Sequence, residues 1–353
     1  MSVKVFDFFS GCGGASCGFR DASMDIVFAL DCDPDSQRTF QINFPSTHFE
    51  LMNIRKMSVH HVQSLVDKQR PNPVLFCGCA PCQPFTKQNT KHPRREDDDR
   101  ISLLSCFAEF VKACRPDIVF VENVPGLQKL NRRTQPFGGF LQILETADYH
   151  VDYRPVRLMK YGVPQSRYRL ILLASRHGPI KLPPETNGPG TTNPCYEAVK
   201  DWIEDLPPIV AGEEHTNVPN HRAAGLSKRN LERIRATPEG GGNGDWPNRL
   251  RLDCHKRTLG YSDVYGRMSW DRPAPGLTTK CISYSNGRFG HPEQDRAISI
   301  REAACLQTFP LDFLFEGSLS SMARQIGNAV PVRLATIIGR HVNEHLKEAG
   351  VLI

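Results

Sequence analysis

No stretch of this sequence stays apolar for the ~20 residues that a bilayer-spanning helix needs, and its beginning has no cationic lead-in to an apolar core. The first strand candidate, "VKVFDFF", instead carries Asp7. Neither a membrane span nor a secretory signal is expected. Internal repeats and low-complexity tracts are also missing, which sets aside solenoid architectures. Twelve cysteines are present, but they lie singly in helix-like and strand-like segments rather than at the spacings of a disulfide framework. They are expected to stay reduced inside a cell. Acidic residues are the minority charge, 38 against 44 Lys and Arg, for a net charge of +6. The basic excess is local: five basic residues and no acid between Arg154 and Arg169, and nine against four between Arg222 and Arg257. Such stretches are ordinary solvated surface unless a nucleic-acid chemistry lies nearby, in which case they suit phosphate contacts.

What is present is a strand–helix alternation. "VKVFDFF", "DIVFALD", "PVLFCG", "DIVFVEN" and "YRLILLAS" are short, apolar and bounded by turn residues, as buried strands are. "RISLLSCFAEFVKACR" repeats its apolar residues (Leu103, Leu104, Phe107, Phe110, Val111) at helical spacing. The pattern predicts an α/β fold with a doubly wound, mostly parallel sheet covered on both faces. Ligands of such sheets bind beyond the carboxyl ends of the strands. There lie "SGCGG", "DCD", "CAPCQP" and "ENVPG". The division expected is residues 1–178 as the catalytic and cofactor-binding domain, 179–295 as a smaller, irregular, turn-rich domain, and 296–353 as a return to the first. Pro331 stands near a helix start, and Leu334, Ile338, Val342 and Leu346 form that helix's apolar stripe.

The glycines at 11, 13 and 14 permit a tight turn and close approach of backbone to ligand. By themselves they fit many folds. Asp31, at the end of the second strand, is placed where an acid binds the hydroxyls of an adenosine ribose. In "CGCAPCQPF", Cys77 and Cys79 share one face of a strand and suit packing. A metal site would want a second ligand pair, and Cys254-His255 is a poor one. Cys82 differs because it lies past the strand end between prolines that fix its direction, which makes it the nucleophile candidate. Glu122 closes an apolar strand, where half-burial would raise its pKa as a general acid requires. Arg167 and Arg169 alternate on an entering strand, suited either to an exposed strand face or to an anionic or carbonyl partner.

In order, "DFFSGCGGASCGF", "APCQPF", "VENVPG", "YGVPQSRYR", "REAACLQTFP" and "QIGNAVPV" resemble the blocks of the bacterial-type DNA (cytosine-5) methyltransferase family. The resemblance covers both ends of the chain, and the variable stretch of about 180–275 falls where that family carries its target-recognition domain. It implies the methyltransferase fold and methyl transfer from S-adenosylmethionine to carbon 5 of a flipped-out cytosine, with no metal. Cys82 would attack carbon 6, Glu122 would donate to ring nitrogen 3, Arg169 would contact the cytosine carbonyl, and Arg167 the backbone or the active-site loop. Gln83 and Asn123 would join the two arginines in binding the substrate. The cofactor would lie against Phe9, Gly11, Cys12, Gly13, Gly14, Asp31, Cys32, Asn53, Ile54, Pro81, Leu103, Asn328 and Val330. The family more often has proline at position 80, Glu at 31 and Asp at 53, where this sequence has Ala80, Asp31 and Asn53. The polar run "TKQNTKHPRREDDDR" is expected to close over DNA. The implied partner is double-stranded DNA, with a restriction endonuclease as an open functional counterpart. A cytoplasmic, nucleoid-associated monomer is the default. A transfer RNA methyltransferase of the same fold, a silent DNA-binding homologue and a nicotinamide oxidoreductase are the rivals. The last leaves "APCQPF" and "ENVPG" unexplained, and intact Cys82, Glu122 and Arg169 weigh against silence.

Overall fold

The computed structural model of the protein describes residues 1–81, 102–126, 136–252 and 263–352. In chain order its main elements are β1 (Lys4–Phe8), α1 (Gly14–Asp21), β2 (Asp25–Asp31), α2 (Pro34–Asn43), β3 (His48–Leu51), α3 (Val59–Asp67), β4 (Val74–Gly78), α4 (Ser102–Cys114), β5 (Ile118–Asn123), α5 (Pro136–Thr146), β6 (His150–Arg157), β7 (Gln165–Ser166) and β8 (Tyr168–Ser175). They continue with α6 (Lys200–Ile203), α7 (Lys228–Arg235), β9 (Ala274–Pro275), α8 (Ile300–Leu306), α9 (Leu319–Asn328) and α10 (Val332–Glu348). Two compact units result: Met1–Arg157 with Tyr168–Pro184 and Val330–Ile353, and Leu158–Arg167 with Glu185–Ala329.

The first unit is built on a seven-stranded sheet in the order β3-β2-β1-β4-β5-β8-β6. Strands β3, β2, β1, β4 and β5 run parallel, and β8 runs antiparallel to both β5 and β6. The strand order reverses at β1, whose neighbours are β2 and β4, so a crevice opens beyond the carboxyl ends of β1 and β4. One sheet face carries Phe6, Phe8, Phe28 and Phe76 against Val62 and Val66 of α3 and Leu104, Phe107 and Val111 of α4. Each such ring contributes about 1.5–3 kcal/mol by leaving water. On the other face Phe19 of α1 meets Phe120 of β5 edge-on.

The expected C-terminal helix is α10, with Leu334, Ile338, Val342 and Leu346 all buried. It crosses α1 so closely that a Cβ at Gly18 would lie 2.3 Å from the carbonyl oxygen of Val332 and 2.5 Å from the Ala335 Cβ. The five anticipated strands are all present. Strands β3 and β6 lie at the two edges of the sheet and escape the apolar-run criterion. β6, "HVDYRPVR", is largely polar and contains Pro155, as edge strands tolerate.

The second unit has little regular structure, consistent with its turn-rich sequence. Ile234, Trp246, Leu250, Tyr284 and Ala297 form its small core, with the Arg233 guanidinium 5.1 Å above the Trp246 ring. The expected return from residue 296 differs from the observed division, because α8 and α9 belong to this second unit. The reason is polar. Arg296 donates to the Ile209 carbonyl at 3.0 Å, and its buried guanidinium is held by two 2.7 Å bonds to Glu302. Arg301 of α8 donates to the carbonyls of Pro219 and Phe313. Only α10 returns to the sheet. Among the described residues no helix is long and apolar enough to cross a membrane, and no disulfide joins the described cysteines.

Candidate active site

The loop between β1 and α1 is held in an unusual backbone path. Phe9, Gly11 and Gly13 all have positive φ, at 61°, 52° and 97°. For Phe9 that conformation costs about 1–2 kcal/mol, and such outliers gather at functional sites. Gly13 is required twice over, since a Cβ there would also lie 2.7 Å from the Phe44 ring. Around Gly11 there is open space. Gly14 begins α1, whose first N–H groups offer partial positive charge. Cys12 is buried within the loop.

Asp31, the last residue of β2, is fastened to this loop. Its Oδ2 accepts from the Gly11 N–H at 2.8 Å and its Oδ1 from the Asp33 N–H at 2.9 Å. Burial pushes the carboxyl above its ordinary pKa against those bonds. A carboxylate has about four acceptor sites, so beyond its bonds to Gly11, Asp33 and the Cys32 backbone Asp31 keeps capacity for a hydroxyl donor. Cys32 beside it is exposed. After β3, Asn53 caps a short turn by accepting from the Arg55 N–H at 3.0 Å, and Ile54 is buried behind it. Leu103 of α4 is partly buried against the first unit's core, and Val330 is buried just before α10. Asn328 ends α9 in the second unit, exposed.

At the carboxyl end of β5, Glu122 and Arg169 form an ion pair, Oε1 to Nε 2.6 Å, with side chains 12% and 13% exposed. Strand direction brings them together. Because β8 is antiparallel to β5, its beginning reaches the end of β5, where Asn123 pairs with Leu170. Burial raises the Glu122 carboxyl above its usual pKa, and the guanidinium beside it pulls the other way. Arg169 also donates to the Tyr168 carbonyl at 2.7 Å. The same sheet face carries Asp7, Cys77 and Cys79. The two thiols lie 3.7 Å apart, and burial is the largest cause lifting that of Cys77 well above its usual value. Cys77 is fully buried on that face, and Cys79 is half-buried beside it.

Asn123 is buried and both ends of its amide are engaged. Nδ2 donates to the Ala80 carbonyl at 3.1 Å, and Oδ1 accepts from the Val124 N–H at 2.7 Å. It therefore ties the end of β5 to the segment that follows β4. Pro81 is exposed at the edge of that segment. Cys82, Gln83 and the run "TKQNTKHPRREDDDR" lie outside the described residues, as does part of the basic stretch 222–257.

Arg167 does not share a strand with Arg169. It sits between β7 and β8, belongs to the second unit, and donates to the carbonyls of Leu277 at 2.8 Å and Gly327 at 3.2 Å. Nearby, Gln165 donates to the Leu306 carbonyl at 2.8 Å and to the Gln307 side chain, and accepts from the Leu277 N–H at 3.0 Å. Gln307 in turn reaches the Ala329 carbonyl. Three blocks widely separated in sequence, "YGVPQSRYR", "REAACLQTFP" and "QIGNAVPV", are thus joined by two glutamines. Neither glutamine is marked in the sequence, since a polar side chain in a two-residue strand or at a helix end carries no local signal of burial.

The family model for C-5 cytosine-specific DNA methylases matches residues 3–344. The type II methylase M.HgiDII of Herpetosiphon aurantiacus is 40% identical, over 98% of this chain and 97% of its own. The type II methyltransferase M1.BsuMI of Bacillus subtilis is 32% identical, over 96% and 80%. Among solved structures, the Dnmt2 methyltransferase of S. pombe has the same fold at 16% identity, with a TM-score of 0.64 over 98% of this chain and 99% of its own.

Proposed function

Because the chain belongs to the C-5 cytosine-specific DNA methylase family, and so is a DNA cytosine methyltransferase that uses S-adenosylmethionine, we propose the following division of labour among its residues. The Phe9–Gly14 loop and Asp31 hold the nucleoside end of the cofactor, with Asn53 and Ile54 at the adenine and Asn328 toward the methionine end. The open space at Gly11 and the lone pairs left on Asp31 suit that group. Cys12, Cys32, Pro81, Leu103 and Val330 complete the surround. When bound, the cofactor supplies an electrophilic methyl group on sulfur.

The residues of the chain make the cytosine nucleophilic. The target carbon is inaccessible inside the duplex, so the base is flipped out, at a cost of about a few kcal/mol. The Cys82 thiolate adds to carbon 6 while Glu122 delivers its proton to nitrogen 3. The electron pair then resides at carbon 5, which takes the methyl. Loss of the carbon 5 proton to a base expels Cys82, and nitrogen 3 gives its proton back. A carboxyl lifted by burial is the form Glu122 needs for donation. Arg169 keeps that carboxyl aimed and contacts the cytosine carbonyl. Asn123 positions the Cys82 segment through Ala80, while Gln83 touches the base. Arg167 braces its own unit, from which the segment of about 180–275 reads the DNA sequence. The relatives named as type II methylases support a role as the modification partner of a restriction endonuclease; a monomer acting in the cytoplasm at the nucleoid is the form proposed for it.

The observation that carries this reading is the Glu122–Arg169 pair at the carboxyl end of β5, the strand next to β4. The test is incubation of the full chain with plasmid DNA, transfer RNA and labelled cofactor, alongside Cys82→Ala. Label in DNA as 5-methylcytosine that vanishes in the variant is the expected result. Undiminished label in the variant would remove Cys82 from its role. Bisulfite sequencing of the product then gives the recognised sequence, and the modified plasmid should resist an endonuclease cutting there.

A further inference from the structure

Away from the crevice, β3 and α3 converge two imidazoles on one carboxylate oxygen. His48 Nε2 lies 2.9 Å, and His61 Nε2 3.3 Å, from Glu50 Oε1. The three ligand atoms fall within 4.8 Å of one another. His48 and Glu50 are alternate residues of a strand and so share a face. Both elements are fixed: β3 pairs with β2, His48 opposite Phe28 and Glu50 opposite Leu30, and α3 is capped by Ser58, which accepts from the His61 N–H. The His48 ring also rests 6.0 Å from that of Phe28.

We propose that His48, Glu50 and His61 form a binding site for a divalent transition-metal ion of the zinc type, with water as the fourth ligand. In a tetrahedral site with metal–ligand bonds of about 2.0–2.1 Å, neighbouring ligand atoms stand about 3.3 Å apart. Two of the three protein edges already measure 2.9 and 3.3 Å. Closing the third takes a small rotation of side chains that reach solvent at 53% and 44% exposure. Two neutral imidazoles with one carboxylate are borderline ligands that suit zinc over magnesium or calcium, which prefer all-oxygen shells. The ion would tie the edge strand to α3 across the connection of residues 52–58, replacing a shared hydrogen bond with coordination. The site is independent of the methyl-transfer chemistry and contains none of its residues.

The test uses the full chain, stripped by a chelator and titrated with Co²⁺ as a spectroscopic probe. One equivalent should bind with the visible absorption of a four-coordinate nitrogen–oxygen site and be displaced by Zn²⁺. His61→Ala and Glu50→Gln should each weaken binding at least tenfold while changing the metal-free melting temperature little, because both histidines are exposed and Glu50 is half-buried. Binding that is equally tight in both variants, or absent in the unaltered chain, overturns the proposal. So does an intense near-ultraviolet thiolate band that survives both substitutions, since it would place the metal on cysteine.

Discussion

Glu122 and Arg169 are diagonal neighbours across β5 and β8, joined at 2.6 Å although 47 positions apart in sequence. Glu122 stands opposite Ile171, and Arg169 lies two residues earlier on the same face. This geometry exists only because β8 enters antiparallel to the rest of the sheet. A parallel strand would bring its far end to the crevice and leave the carboxyl alone. Breaking a buried pair by removing one member costs about 3–5 kcal/mol, because the survivor stays desolvated.

That pairing sets the pH range over which Glu122 is a proton donor. Burial raises its pKa and the guanidinium lowers it, so removing the guanidinium raises it further. Arg169→Gln should therefore move the alkaline limb of the kcat/KM profile upward, on top of a general loss of rate. Glu122→Gln should reduce kcat by about 10²–10⁴-fold, the usual worth of a positioned acid. An Arg169→Gln profile that keeps its alkaline limb would mean that some other group is titrating.

Asp31 joins β2 to the glycine loop and offers its remaining lone pairs outward. Asp31→Asn keeps an acceptor but loses the charge, whereas Asp31→Ala leaves the Gly11 and Asp33 N–H groups unpaired. These donors are part-buried, so leaving them unsatisfied costs at most the ~1–3 kcal/mol of a fully buried one. Calorimetry with S-adenosylhomocysteine should give affinity falling from the unaltered chain to Asn to Ala, the last by at least tenfold. Equal affinities for all three would remove Asp31 from the cofactor site.

The parts of this fold that were legible in the sequence are those whose cause is local. Buried strands show as apolar runs, α10 as a four-residue stripe from Leu334 to Leu346, and the β1–α1 loop as glycines at positions that need positive φ. Edge strands β3 and β6 were not legible, because half-exposed strands mix polar and apolar residues as loops do. The partners of Arg167 and Gln165 were hidden for another reason. Their carbonyl acceptors at Leu277, Leu306 and Gly327 are backbone atoms more than a hundred residues away, and a backbone acceptor leaves no mark on residue type. The ion pair of Glu122 was half visible, since Glu122 lies at the end of one apolar strand and Arg169 at the start of another, but their meeting depends on strand direction.

Gly18 reports on the α1–α10 crossing. A methyl group there would sit 2.3 Å from the Val332 carbonyl oxygen, with backbone rather than a flexible side chain as the obstacle. Gly18→Ala should destabilise by about 1–3 kcal/mol or more through forced separation of the helices. Urea denaturation followed by far-ultraviolet dichroism measures it. No change in midpoint would mean that α10 shifts without cost.

Asp7 and His291 titrate in opposite senses over nearly the same range, so the acid limb of overall stability conceals both. Asp7 is 1% exposed, its Oδ2 accepting from Ser16 Oγ at 2.6 Å, and burial lifts its pKa from 3.8 to about 6. A folded value above the unfolded one means that its contribution is complete below about pH 4 and is lost as the pH rises through 6. The shift corresponds to roughly 3 kcal/mol. His291 is the reverse. Burial lowers its pKa from 6.5 to about 4, and its Nδ1 accepts from the N–H groups of Glu293 at 3.1 Å and Gln294 at 3.0 Å. Protonation at Nδ1 would break both bonds, so its contribution is present above pH 6.5 and is lost as the pH falls towards 4, again by roughly 3 kcal/mol. Single variants separate the two. Relative to Asp7→Asn, the unaltered chain should lose stability between pH 4 and 7. Relative to His291→Asn, whose Oδ1 can keep the acceptor, it should gain stability over the same interval. Denaturant midpoints for all three chains at each pH provide the measurement, and parallel curves for either pair would show that the corresponding group does not titrate there.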